Sequence, residues 1–191
     1  MSPSDSPIAP ETYFFSDDGA IPNNPQLPFL IYRGAIDLKG SANPDEVLEQ
    51  TFLRNHWGDL WRNGIYPYAH YHSSIHEVMG LARGRAKVRF GGSTGQDMDI
   101  MAGDVVVLPA GTGHQGLWAS PDLLVIGAYP PNGRYDLCLG SKAEHAKAIL
   151  AIPEVPLPET DPVFGAHGAL QQLWRDACIP EAQTASRARA R

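Results

Sequence analysis

Between Trp61 and Tyr129 no apolar pattern lasts long enough to make a helix. Short segments rich in β-branched and aromatic residues run at 65–73, 76–83, 85–91, 97–101, 104–108, 113–119 and 122–129. They are punctuated by Arg83 and Gly84, by the glycine-rich run 91–95, by Ala102 and Gly103, and by Ser120 and Pro121. Strands this short, at spacing this even, close into a barrel or pack as a sandwich rather than alternate with helices in a parallel sheet. The expected fold class is therefore all-β.

The flanks read differently. Residues 1–10 are rich in serine and proline and read as a disordered tail, and 12–15 and 27–32 read as early strands. Asn43, Pro44 and Glu46 have the order of a helix start, with a side-chain cap, a proline at the first helical position and a capping-box partner. That helix is expected to run to about His56 and to bury Val47, Leu48, Thr51 and Phe52. Ser141 to Ile152 reads as a helix, 153–162 as a proline-rich connector, and Ala169 to Cys178 as a last short helix. The expected division is an N-terminal part, 11–60, packed on a barrel core, 61–130, followed by C-terminal helices to 178 and a tail from 179 to 191.

Composition narrows the function. A net charge of −6 leaves no basic stripe for phosphates, so a nucleic-acid partner is not expected; Arg187, Arg189 and Arg191 read as a solvated tail. The first residues lack the basic start and apolar core of a secretory signal, and no apolar run reaches membrane-spanning length. A cytoplasmic protein is expected, with Cys138 and Cys178 as free buried thiols.

The chemistry concentrates between Gly64 and Gly84. Three of the seven histidines, His70, His72 and His76, fall within seven residues, followed at once by Glu77. In a strand, residues two apart share a face and stand roughly 6 to 7 Å apart, so His70 and His72 can converge on one ion. Imidazole nitrogens bind such ions at about 2.0 to 2.1 Å, and Glu77 adds an anionic ligand. His76, adjacent to Glu77, should face the other way, toward solvent or a supporting position behind the ligands. A further ligand is available downstream: the apolar strand 105–108 ends at Pro109, Gly111 and Gly113 permit a tight turn, and His114 opens the next strand.

Two spacings are family motifs. Gly64, five residues, His70, one, His72, four, Glu77, six, Gly84 is the first motif of the cupin superfamily; Gly103, five, Pro109, one, Gly111, two, His114 is the second. The chain resembles small, single-domain bacterial cupins. It departs from the second motif at Trp118, where the superfamily usually has asparagine. The resemblance implies a cupin-type antiparallel jelly-roll β-barrel with short flanking helices. It also implies one divalent transition metal (iron, manganese, nickel, zinc or copper) on His70, His72, Glu77 and His114, and a homodimer. If the histidines point inward, strict alternation sends Tyr66, Tyr68, Met79 and Trp118 into a pocket for a small molecule, while Arg62 and Asn63 could reach the barrel mouth but read first as surface residues. Metal-dependent chemistry of an oxygenase, isomerase or lyase type is one expectation, and a non-catalytic sensing or binding module is the other.

Overall fold

The computed structural model describes residues 8–178. The 179–191 tail with its arginines, and most of the 1–10 tail, lie outside the described residues. In chain order the elements are β1 (Glu11–Tyr13), β2 (Phe29–Tyr32), α1 (Pro44–Arg54), β3 (Gly58–Asn63), β4 (Glu77–Arg83), β5 (Arg85–Phe90), β6 (Gln96–Met101), β7 (Val105–Leu108), β8 (His114–Ala119), β9 (Leu124–Tyr129), α2 (Lys142–Ala151) and α3 (Leu170–Ala177). The strands form a six-stranded sheet in the order β1-β2-β7-β4-β9-β3 and a three-stranded sheet β6-β5-β8, with every pairing antiparallel. This is the all-β class that the strand spacing implies, in the double-sheet barrel form with short flanking helices that the resemblance implies. No helix among the described residues is long and apolar enough to cross a membrane.

Period-two alternation decides which side chains go where. From β2, β4, β7 and β9, Phe29, Ile31, Met79, Leu81, Val106, Leu108 and Val125 point between the sheets. There they meet Ala86, Val88 and Phe90 of β5 and Met98 and Ile100 of β6. The intervening residues, among them Leu30, Tyr32, Val78, Val105, Val107, Ile126 and Ala128, point to the other face and pack on Leu48 and Phe52 of α1 and Leu170 and Trp174 of α3. Strands buried on both faces explain the unbroken apolar run of β7. Each fully buried leucine or phenylalanine contributes about 1.5 to 3 kcal/mol relative to exposure, so helices and sheet stabilise each other.

Three local expectations change. Asn43 is the N-cap residue of α1 but its side chain makes no capping hydrogen bond; Pro44 at the first helical position is what starts the helix, and α1 ends at Arg54, two residues short of His56. The capping box is instead at α2, where Ser141 accepts from the Glu144 N–H and the Glu144 carboxylate accepts from the Ser141 N–H. Cys138 is buried but Cys178 is exposed; both are free.

Candidate metal centre

The chain between β3 and β4 runs beside β8 and the turn that precedes it, and most of it is not a strand. Pro67 has no N–H for a ladder, and pairing survives only as isolated bridges, His70 with His114 and Tyr71 with Cys138. His70 N–H donates to the His114 carbonyl at 3.2 Å and His114 N–H donates back at 2.9 Å. The Gly111 N–H donates to the His72 carbonyl at 2.7 Å. These bonds tie both motif histidines of the first stretch to the Pro109–His114 turn, and Glu77 enters as the first residue of β4.

His70, His72 and His114 are all buried, and each offers a ring nitrogen within 4.8 Å of the others. In every case Nδ1 faces a backbone carbonyl: Tyr68 at 3.1 Å for His70, Asp136 for His72, and Thr112 at 3.3 Å for His114. A carbonyl only accepts, so each Nδ1 carries the proton and each Nε2 presents a lone pair. Glu77 Oε2 lies 3.4 Å from His72 Nε2 and 3.5 Å from His114 Nε2. Bond lengths of 2.0 to 2.1 Å put neighbouring ligand atoms about 3.0 Å apart in octahedral and about 3.4 Å apart in tetrahedral geometry, so the spacing suits a shared ion. Glu77 Oε2 is also buried without a hydrogen-bond partner. A carboxylate oxygen orphaned in a low-dielectric site is costly unless something cationic meets it.

Electrostatics follow the same geometry. Burial alone would raise the Glu77 pKa, but the His72 and His114 imidazoles, with the Tyr129 hydroxyl, bring it down to about 2. Burial lowers the His114 pKa to about 3, reinforced by His70. Burial likewise lowers that of His70. His72 goes the other way: burial is outweighed by the Glu77 charge and the Asp136 carbonyl, and its pKa rises.

A cavity of about 320 Å³ opens in front of these groups. Its walls include Tyr66 and Met79, as alternation predicted, together with Trp61, Ile65, Tyr129 and Tyr135. Arg62 and Asn63 are exposed and also line the cavity, which joins the surface and barrel-mouth readings of the sequence; Glu49 and Asp45 hold the Arg62 guanidinium. Gly127 is what admits Trp61: a Cβ there would lie 1.9 Å from the indole Cε2.

Three expected site residues are elsewhere. Trp118 is 51% exposed and lies under the Arg85 guanidinium, 5.5 Å from ring centroid to Cζ, on the outside of the small sheet. A bulge causes this: Val88 pairs with Gly116 but Lys87 pairs with Trp118, so Leu117 is the extra residue and everything beyond it changes face. Tyr68 does not line the cavity; it stacks on Tyr66 at 5.0 Å and is 42% exposed. His76 neither faces solvent nor supports a ligand. It is fully buried on the outer face of β4, where Nδ1 accepts from the Ala110 N–H at 2.9 Å and the ring packs on Trp174 at 4.7 Å.

Trp61, Tyr129, Tyr135 and Asp136 escaped the reading of the sequence. Tyr129 had a signal, since it ends a strand two residues beyond inward-facing Gly127. Tyr135 and Asp136 belong to a segment without periodicity, and nothing local marks them.

The protein YjlB of Bacillus subtilis strain 168, itself uncharacterised, is 40% identical over 164 residues, covering 86% of this chain and 96% of the relative. The chain belongs to the YjlB family. No protein-family profile matches the sequence. Among solved structures, a double-stranded β-helix protein from Klebsiella pneumoniae aligns at 13% identity over 73% of this chain and 84% of its own, with a TM-score of 0.35. Acireductone dioxygenase from Bacillus anthracis, with a cadmium ion in its active centre, aligns at 13% identity over 55% of this chain and 80% of its own, with a TM-score of 0.37. Both superpositions are too loose to carry residue roles or chemistry to this member of the family.

Proposed function

We propose that His70, His72, His114 and Glu77 bind one divalent transition metal, and that the protein is a metal-dependent enzyme acting on a small organic molecule. The observation that carries this reading is the donor arrangement: three clustered imidazoles commit Nδ1 to carbonyls, and two of them, His72 and His114, set Nε2 3.4 and 3.5 Å from a buried Glu77 oxygen that has no hydrogen-bond partner. Imidazole and carboxylate suit iron, manganese, nickel, zinc and copper alike. Bound there, such an ion supplies Lewis acidity or, if redox-active, dioxygen chemistry, of an oxygenase, isomerase or lyase type.

The chain's own groups would shape the reaction. Trp61, Ile65 and Met79 give the cavity an apolar wall, and the Tyr66 and Tyr135 phenols offer adjustable donors at its mouth. Burial and the Glu77 charge raise the Tyr129 phenol far above its usual range, and toward the carboxylate, which only accepts, its hydroxyl is the donor.

Elemental analysis of the purified protein should find about one transition metal per chain, and His72→Ala should lose most of it. A metal-free wild type that cannot be reconstituted would overturn the reading. Metal-loaded protein given oxygen and a panel of small acids and diketones should show turnover; tight binding without conversion would point to the sensing alternative.

A further inference from the structure

We infer that Asp136 is a positioning residue for this centre, holding His72 in the tautomer and orientation that metal binding needs; the inference rests on the metal reading above. Asp136 acts on His72 in two ways. Its backbone carbonyl accepts from His72 Nδ1–H, which leaves Nε2 for the ion. Its carboxylate grips the chain directly after His72. Oδ1 accepts from the Ser73 N–H at 2.9 Å and the Ser74 N–H at 3.1 Å. Oδ2 accepts from the Ser73 hydroxyl at 2.5 Å, from the Ser73 N–H at 3.1 Å and from the Cys138 thiol at 3.3 Å. With these donors gathered on one carboxylate, the His72 backbone has little freedom to turn the ring.

The surrounding segment is built for this contact. It runs against 71–75 without forming a regular element: Arg134 N–H donates to the Ser74 carbonyl at 3.1 Å, and Tyr71 and Cys138 exchange two bonds of 3.0 Å. Gly133 permits the close approach, since a Cβ there would lie 2.5 Å from Ile75 Cγ1. The same segment delivers Tyr135, whose ring centroid is 5.0 Å from that of His72 and 5.6 Å from that of Tyr129. One clamp therefore sets both a metal ligand and a wall of the cavity. The hydrogen-bond partners of the Asp136 carboxylate, Ser73, Ser74 and Cys138, belong neither to the inter-sheet core nor to the face covered by α1 and α3.

The test is Asp136→Ala, which removes the carboxylate and leaves the carbonyl. Cobalt(II) affinity, read by competition with a chelator, should weaken by about 10- to 100-fold, the range found when partners of metal-bound histidines are removed. The visible spectrum of bound cobalt should change. In metal-free protein, long-range ¹H–¹⁵N correlation should show His72 passing from a single Nδ1–H form to a mixture. Unchanged affinity and an unchanged single tautomer, even with a lower melting temperature, would reduce Asp136 to a structural role and overturn the inference. A wild type that binds no cobalt defeats the metal reading instead, and the His72 tautomer still decides the role of Asp136. If Asp136→Ala does not fold, Asp136→Asn and Ser73→Ala, which disturb fewer bonds, should give smaller changes of the same kind; none in either overturns the inference.

Discussion

Replacing His76 with asparagine should flatten the acid limb of the stability curve. The imidazole is fully buried under α3, and its Nδ1 accepts from the Ala110 N–H, so its single proton sits on Nε2. A second proton would have to go onto Nδ1, directly facing that N–H. Burial lowers the ring's pKa from 6.5 to about 3, with the Pro156 backbone opposing to a lesser degree. Below pH 6.5 the unfolded chain takes up a proton that the folded chain refuses until near pH 3, so the neutral ring's contribution to stability falls as pH drops through that window. At pH 5 the difference spans 1.5 units below the unfolded value, about 2 kcal/mol at 1.36 kcal/mol per unit. Asparagine places Oδ1 near the position of Nδ1 and can still accept from Ala110, but it does not titrate. The loss of ring packing on Trp174 lowers stability equally at every pH. Urea unfolding with a chelator present, at pH 8 and pH 5, should therefore show wild type losing about 2 kcal/mol more than His76→Asn between the two. His114 titrates in both proteins and cancels. Equal losses in the two proteins would refute the reasoning.

Asp161→Ala should lower stability by about 3 kcal/mol or more, because it strips the acceptor from the Tyr32 hydroxyl and from the N–H groups of Val163, Phe164 and Leu170, all around a fully buried carboxylate. A midpoint shift in urea equivalent to less than about 1 kcal/mol would contradict this network. Trp118→Ala should cost no more than about 1 kcal/mol, the worth of an exposed cation–π contact, and leave metal content unchanged; loss of metal would mean that the bulge does not turn the indole outward. Among the described residues β1 is an edge strand of the larger sheet, and we propose that residues 12–32 pair two copies there; light scattering should give a dimer, and a monomer mass would refute it.

The parts of this protein legible in its sequence are those set by local rules. Strand spacing announced a barrel or sandwich, because turn residues interrupt apolar segments wherever the chain reverses, and the two motifs implied the barrel. His70, His72, Glu77 and His114 could be named because their spacing relative to Gly64, Gly84, Gly103, Pro109 and Gly111 matches two motifs, which holds even though His70 and His72 lie outside a regular strand. Alternation also placed Tyr66 and Met79 in the cavity wall. It misplaced Trp118, since one extra residue at Leu117 reverses every later side chain and leaves no mark in composition. The predicted strand 65–73 failed at Pro67 for a reason already visible, a missing donor, but the bridges that replace it could not be foreseen.

What the sequence alone determined is the all-β class, a property of short-range periodicity, and the candidate ligands with the jelly-roll barrel, which the two motif spacings implied by resemblance. Tertiary structure decided the rest. It buried His76 against Trp174, turned Trp118 outward, and brought Tyr129, Tyr135 and Asp136 to the centre from beyond the barrel's last strand or its end. Asp136 and His72 are 64 residues apart. Nothing local encodes their meeting; it follows from the closure of the barrel and from a glycine small enough to let the two segments touch.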